Sequence, residues 1–442
     1  LRGSPAIKKV IVNSAGDVID HADIQEEQSG RDLHLSLDVR IQRLTESALA
    51  SGIAAARGRY SAPAGAVVVM DPTTGGVVAT ASYPTYDPAI LADGITTKEF
   101  NALGHATADD PDDDALLNRA LQAQRQPGST FKVVTAGAAM ATGVADAYTQ
   151  LECPGSKIYP PEGGPGSVEY HNWTSFNFGY LSVPESLEVS CNTFYYELGW
   201  RMEDAYGAAR GDETERFQKY ARTAGFGHET GIDLPNEANG RVPDQAWCDA
   251  NADIGYCPQG WYPGFTVNMS IGQGDLIVTP TQMAVSYAAI ANGGQVVRPR
   301  IGWKLARADE LAGEERVVRE FQPVVAETLP LDDAELDAIQ DGLLRVISGG
   351  NGTATGSFAG FPTDEYPIAG KTGTAQLSDT ELNDAWFISY GPADVPQYVI
   401  SVYVEKAGHG GESAAPIARE IWEGIFELDD ETDVQLGQDA SG

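Results

Sequence analysis

Ser129-Thr130-Phe131-Lys132 is the only place in the chain where a serine stands three residues ahead of a lysine. A Gln126-Pro127-Gly128 turn precedes it and an apolar run, Val133 to Met140, follows it. On a helix that spacing puts hydroxyl and amine on one face. A buried amine beside a hydroxyl is a route to an alkoxide-like nucleophile at neutral pH. A free lysine titrates near pH 10.4, about three units too high for a base, so burial and a nearby cation must lower Lys132. Acyl transfer needs a nucleophile, a base, a proton relay and an oxyanion site. Two further stretches offer the missing parts. Ser190-Cys191-Asn192 lies 61 residues beyond Ser129, at a break between two helical patterns. Lys371-Thr372-Gly373 lies 242 residues beyond Ser129, within a strand pattern. Lys371 is the candidate for the lowering cation. Ser190 can pass a proton to a leaving nitrogen, and Asn192 can hold Lys132 and a substrate amide. Lys371, with the hydroxyls of Thr372 and Thr374, suits a carboxylate. Gly373 would let its strand approach a ligand closely.

Each piece has a plainer reading. A second Ser-x-Asn exists, Ser175-Phe176-Asn177. Ser190 is preferred because it lies between two helices, whereas Ser175 lies in an aromatic-rich loop. Ser190 as a simple helix cap remains the plain alternative. Lys371-Thr372-Gly373 alone reads equally well as a strand ending in a turn. Trp386, on the following strand, reads as a core aromatic before it reads as a cleft wall.

The positioning elements are legible in part. Val10 to Val12 and Val18-Ile19 flank a turn at Asn13 to Asp17, and Leu33 to Val39 alternates like a strand. Ile41 to Ala56 has helical spacing. Val67 to Met70 and Val77 to Ala81 read as a hairpin whose strands are apolar on both faces, hence buried in a sheet. Residues 129 to 225 read as mostly helical, interrupted by a Gly/Pro-rich loop at 154 to 166. Thr279-Pro280-Thr281-Gln282 opens a helix with a capping box, and Asn292-Gly293-Gly294 stops it. Three strand-like pieces follow near the end: Tyr366 to Ala369 leading into Lys371 to Thr374, Ala385 to Tyr390, and Tyr398 to Glu405. A last amphipathic helix carries Ile417, Ile421, Trp422, Ile425 and Phe426. Helices in the middle with strands at both ends imply an α+β unit whose sheet joins distant segments.

With 442 residues there is length for more than one domain. Residues 1–60 read as a separate leading segment, 61–428 as the main domain, and 429–442 as an acidic, disordered tail. The net charge of -34 and pI of about 4.3 argue against nucleic acid and anionic lipid surfaces as partners. No apolar run of about 18 residues is present to span a membrane. The chain opens at Leu1 rather than Met, so a membrane anchor or signal is expected upstream. Asp109 to Asp114 reads as a solvated loop rather than a metal cage. Cys153, Cys191, Cys248 and Cys257 form no C-x-x-C pair and the histidines are scattered, so neither a metal site nor a cofactor is expected. Cys248 and Cys257 flank a short loop and could close a disulfide or stay free; Cys191 reads as buried.

Taken in order, the three motifs resemble the signature of penicillin-binding proteins and class A β-lactamases, with Cys191 where the pattern carries Asp. The chain resembles the transpeptidase domain of a class B penicillin-binding protein. Leu1 to Pro5, Asp32 to Leu44, Gly65 to Pro84, Gly231 to Pro235, Ser270 to Gly274 and Ala291 to Gly294 all resemble family segments, in the family's order. The resemblance implies a five-stranded antiparallel sheet flanked by helices, an all-helical subdomain, and a short pedestal or linker remnant over 1–60. It implies a Ser129 acyl-enzyme that cross-links peptidoglycan stem peptides and is acylated by β-lactams. It implies an oxyanion hole from the backbone N–H groups of Ser129 and Thr374, where losing one donor typically costs about 2.7–4 kcal/mol. A glycan polymerase within a division or elongation complex is the implied partner, outside the cytoplasm. Two rivals share these motifs. The first is a hydrolase, a carboxypeptidase or a β-lactamase; fast lactam hydrolysis would need a Glu placed to activate water, but no Glu-x-x-Leu-Asn follows Ser190, and Glu381-Leu382-Asn383 has the wrong spacing. A non-catalytic β-lactam sensor would share the serine and both lysines.

Overall fold

The computed structural model describes residues 2–25, 29–92, 94–103, 114–163, 166–206, 215–257, 260–309, 314–376 and 382–428. The acidic run ahead of Asp114, the tail from 429 and Glu381 lie outside the described residues. The chain begins with strands β1 (Ile7–Val12), β2 (Val18–Gln25) and β3 (Asp32–Leu35), then helix α1 (Val39–Ala56). Next come β4 (Gly65–Met70), β5 (Val77–Tyr83) and helices α2 (Thr97–Ala102), α3 (Arg119–Gln122) and α4 (Lys132–Ala141). Four short strands follow, β6 (Leu151–Glu152), β7 (Ser156–Tyr159), β8 (Val168–His171) and β9 (Tyr180–Leu181). Helices α5 (Val183–Glu188), α6 (Asn192–Tyr206), α7 (Arg216–Thr223), α8 (Gln245–Asn251), α9 (Pro263–Met269) and α10 (Pro280–Ala291) complete the middle. The last part holds β10 (Gln295–Val297), β11 (Gly302–Asp309), β12 (Glu314–Glu320), β13 (Val325–Thr328), α11 (Asp333–Ser348), β14 (Ala369–Ala375), β15 (Asp384–Gly391), β16 (Tyr398–Val404) and α12 (Gly410–Ile425).

The central sheet is antiparallel, in the order β14-β15-β16-β4-β5. Every residue of β4 and β15 is buried, as the unbroken apolar run of β4 requires of a strand covered on both faces. Alternation divides each strand between two cores. Val67, Val69, Phe387 and Val402 join α1 and α12 on one face, while Ala66, Val68, Met70, Trp386 and Ile388 join α4, α6 and α10 on the other. Although α1 precedes residue 60, its stripe Ile41, Ala48, Leu49 and Ile53 is part of the first core. Asp38 caps α1 by accepting from the Arg40 and Ile41 N–H groups, which is why β3 stops at Leu35 instead of running on to Val39. The capping box at Thr279 and Gln282 opens α10 as its residues specify. The middle of the chain is less helical than its pattern suggests. β6 pairs with β9 and β7 with β8, because strands of two to four residues carry no readable period and Leu151 meets Leu181 only through the fold.

One buried ion pair ties the sheet to the segment leading toward Ser129. Arg119, fully buried at the start of α3, places Nε 3.0 Å from Glu405 Oε1 and donates from Nη1 to the Asp114 carbonyl at 2.6 Å. Burial pushes the Glu405 carboxyl up, against the pull of Arg125 and Arg119. Removing Arg119 takes away the closer cation and leaves that carboxylate only Arg125, whose Nη2 lies 3.6 Å from Oε2. Arg119→Met is therefore expected to destabilise the fold, by less than the about 3–5 kcal/mol of a buried charge left with no partner, read as a lowered urea midpoint. The loss should shrink as pH falls and Glu405 takes up a proton.

Candidate active site

Ser129 sits in a single 3-10 turn, Gly128–Phe131, that runs directly into α4. The turn is held from every side. Thr130 Oγ1 donates to the Pro127 carbonyl at 2.7 Å, Tyr287 Oη to the Thr130 carbonyl at 2.8 Å, and Trp386 Nε1 to the Gln126 carbonyl at 3.0 Å. Phe131 is buried edge-on to Phe226, with ring centroids 5.3 Å apart. Gly128 has φ +55° and donates its N–H to the Gly272 carbonyl at 2.9 Å; a Cβ there would strike the Thr374 carbonyl. Turn, β14 and the Ser270–Gly274 segment thus meet backbone to backbone. The Ser129 side chain is half-buried and faces the cleft, and among the described residues its hydroxyl has no hydrogen-bond partner.

Lys132 is the first residue of α4 and is fully buried. Its Nζ lies 2.7 Å from the Ser190 carbonyl, 2.6 Å from Asn192 Oδ1 and 3.2 Å from Ser190 Oγ. Burial first, and then the positive charge of Lys371, hold its amine well below the ordinary lysine range. A neutral amine has two N–H groups and one lone pair. The carbonyl and Oδ1 can only accept, so they take both N–H groups. The lone pair is left for a hydroxyl, either the Ser190 O–H or that of Ser129.

Ser190 lies between α5 and α6 with φ +54°, a left-handed conformation that costs a serine about 1–3 kcal/mol. That twist turns both its carbonyl and its hydroxyl onto Lys132. Ser175 and Asn177, the rival pair, do other work: Asn177 accepts from the Gly179 N–H and donates to Glu152, as a turn-former does.

On β14, Lys371 pairs with Ile388 and is fully buried. Burial pushes its amine down to about 7. Thr372 Oγ1 is 2.6 Å from Thr353 Oγ1, and Thr374 Oγ1 is 3.4 Å from His409 Nδ1. The structure gives Gly373 a different reason from ligand approach. A Cβ there would come within 2.8 Å of the Pro127 carbonyl and of Thr130 Cγ2, so the glycine lets β14 press on the serine turn. Trp386 is core, and its indole N–H anchors that same turn.

These residues converge on one cleft of about 1280 Å³. Ser129, Ser190, Asn192, Thr372 and Thr374 line it, with Lys132 and Lys371 buried behind the wall. The penicillin-binding protein transpeptidase domain matches residues 65–423, most of the chain. The chain belongs to that family. It is 31% identical to the peptidoglycan D,D-transpeptidase MrdA of Escherichia coli over 98% of its own length, and spans 64% of that relative. Its fold is similar to that of Helicobacter pylori PBP2 solved in complex with MreC, with TM-score 0.76 and 25% identity over 96% of this chain and 70% of that one. It is also similar to penicillin-binding protein A of Mycobacterium tuberculosis solved as a ceftriaxone acyl-enzyme, with TM-score 0.68 and 26% identity over 90% of this chain and 81% of that one.

Within this penicillin-binding protein domain, the sequence motifs left several cleft residues unnamed. Thr353, His409 and Asn172 carry no motif, and only contact across the fold reveals them; Gln273 lies in the Ser270–Gly274 segment but takes no role from the sequence. Gln273 Nε2 reaches the Thr374 carbonyl at 3.3 Å, which fixes the end of β14. The cysteines are all paired. Cys248 joins Cys257, the pairing left open by their short spacing, and Cys191 joins Cys153 across 38 residues, a pairing no local signal announces.

Proposed function

We propose that this chain is the catalytic part of a peptidoglycan D,D-transpeptidase. The observation that carries the reading is a fully buried Lys132 bonded to Ser190 and Asn192 behind the wall of the cleft that Ser129 enters. Lys132 takes the Ser129 proton as Oγ attacks the carbonyl of the penultimate D-Ala of a pentapeptide stem. The backbone N–H groups of Ser129 and Thr374 hold the oxyanion. Ser190 relays the proton to the leaving nitrogen, and the terminal D-Ala departs with it. An amine from a neighbouring stem then attacks the ester, its proton returns to Ser129, and the cross-link forms. Lys371, Thr372 and Thr374 take the carboxylate of the stem or of a β-lactam, with Gly373 holding their strand against the serine turn. Asn192 orients Lys132 and the substrate amide. β-Lactams acylate Ser129 by the same route and stay attached.

Residues 61–428 carry this chemistry, and 1–60 are the linker that leaves a pedestal, with α1 its docked part. The chain works outside the cytoplasm beside a glycan polymerase in a division or elongation complex, tethered by an upstream anchor. Among the described residues, no helix is long and apolar enough to cross a membrane.

Labelling with a fluorescent penicillin tests the reading. The intact chain is expected to take a stable covalent label and to turn over a thioester stem analogue, and Ser129→Ala to do neither. A label lost within minutes would favour hydrolysis. A stable label without turnover would make the protein a sensor.

A further inference from the structure

The Ser190–Asn192 turn is held on its outer side by a three-residue segment, 171–173, that the proposed chemistry does not use. The His171 carbonyl lies 3.5 Å from Asn192 Nδ2, and Trp173 Nε1 donates to the Val189 carbonyl at 3.0 Å. Asn172, between them, is 8% exposed and accepts from the Asn192 N–H at 2.9 Å and the Trp173 N–H at 3.0 Å. Both acceptances fix which end of the amide is oxygen. Its Nδ2 then points at the buried disulfide, 3.4 Å from Cys153 Sγ and 3.9 Å from Cys191 Sγ. The Asn172 N–H donates to the Gly155 carbonyl at 2.8 Å, so the segment is tied to the chain just past Cys153 as well. One amide therefore joins the two chains that the disulfide also joins, at the residue between Ser190 and Asn192.

We propose that Asn172, together with the Cys153–Cys191 disulfide, is a positioning residue that sets Ser190 and Asn192 against Lys132. The inference rests on the transpeptidase reading. The turn holds a left-handed serine, a conformation it would leave if unrestrained. The disulfide fixes where Cys191 sits, and Asn172 fixes the direction of the next peptide N–H, hence the aim of Asn192 Oδ1 and of the Ser190 carbonyl. Without the brace, Lys132 keeps its burial but loses the acceptors that direct its lone pair.

The test is the second-order rate of acylation by a fluorescent penicillin against pH, at a temperature where circular dichroism shows each variant folded. Asn172→Ala and the Cys153→Ala/Cys191→Ala double variant are each expected to acylate about 10²-fold more slowly, the cost of a roughly 1 Å misplacement. Asn172→Asp keeps the acceptor for the Asn192 N–H but brings a negative charge. It is expected to recover most of the rate at high pH, with its acid limb moved to higher pH, because a negative charge against Asn192, the residue that holds Lys132, favours protonated Lys132. Among the described residues, the charged and titratable groups facing Lys132 are Lys371 from β14 and Tyr195 from α6, whose ring lies 5.5 Å from Nζ; α4 itself adds none. Unchanged rates with only a lower melting temperature overturn the proposal, as does an acid limb that stays in place in Asn172→Asp. If the truncations do not fold, Asn172→Asp decides alone. An intact chain that takes no label overturns the transpeptidase reading and this inference with it; a labelled intact chain with unaltered variants overturns this inference alone.

Discussion

Lys132→Met is expected to slow acylation of Ser129 by roughly 10²–10⁴-fold, the usual worth of a positioned general base, while leaving a folded protein. Methionine fills nearly the same buried volume but offers no basic lone pair. Two stability effects oppose each other in this variant. The Ser190 carbonyl and Asn192 Oδ1 lose their donor, at about 1–3 kcal/mol for each acceptor left buried and unpaired. The amine whose burial the fold resists is gone as well, as the depressed lysine shows. The net change in urea midpoint should be small beside the change in rate, and that separation identifies a base rather than a strut. The time course of fluorescent penicillin labelling measures the first quantity and urea unfolding the second. A Met variant that acylates within about tenfold of the intact chain would remove Lys132 from the base role and leave Ser190 to be tested in its place.

The parts of this site that were legible in the sequence are those encoded within a few residues. Ser129 and Lys132 are one helical turn apart, and the turn and α4 place them so. β4, β5, β15 and β16 announce themselves as apolar runs, and the capping box at Thr279 opens α10. What escaped is what only the fold assembles. Asn172 is one polar residue in an aromatic loop until β8 brings it beneath the Asn192 N–H. Cys191 reads as a buried thiol because its partner lies 38 residues away, across three short strands that a helical pattern over 129–225 does not show. The sequence reads Gly373 as making room for a ligand, yet a Cβ there would first meet Pro127 and Thr130, a contact that no strand pattern can express. Local spacing supplied the chemical groups, and non-local packing supplied their aim.

The acylation rate for a carboxylate-bearing lactam is expected to fall as pH rises above about 7, and Lys371→Arg is expected to remove that fall. Lys371 is fully buried, it donates to the Thr372 carbonyl at 3.3 Å, and burial lowers its amine from 10.5 to about 7. The sign for folding follows from that shift. Between about pH 7 and 10.5 the unfolded chain holds a proton that the folded chain has released, so stability rises with pH across that window, and below 7 the full cost of a buried ammonium is present. The sign for activity is opposite, because an anionic substrate needs that ammonium. Burial, and then the charge on Lys371, hold Lys132 well below the ordinary lysine range, so the productive state proposed here carries one proton between the two lysines, on Lys371. The rate should therefore rise with pH as Lys132 loses its proton and fall near 7 as Lys371 loses its own; both limbs belong to the coupled pair rather than to either residue. Arginine stays charged throughout, so Lys371→Arg should keep the acid limb and lose the alkaline one. A lactam whose carboxylate is masked as an ester should lack the alkaline limb even with the intact chain, at a lower overall rate. If the ester shows the same turnover near pH 7, then Lys371 is not reading the carboxylate, and its place on β14 would serve only to keep Lys132 neutral.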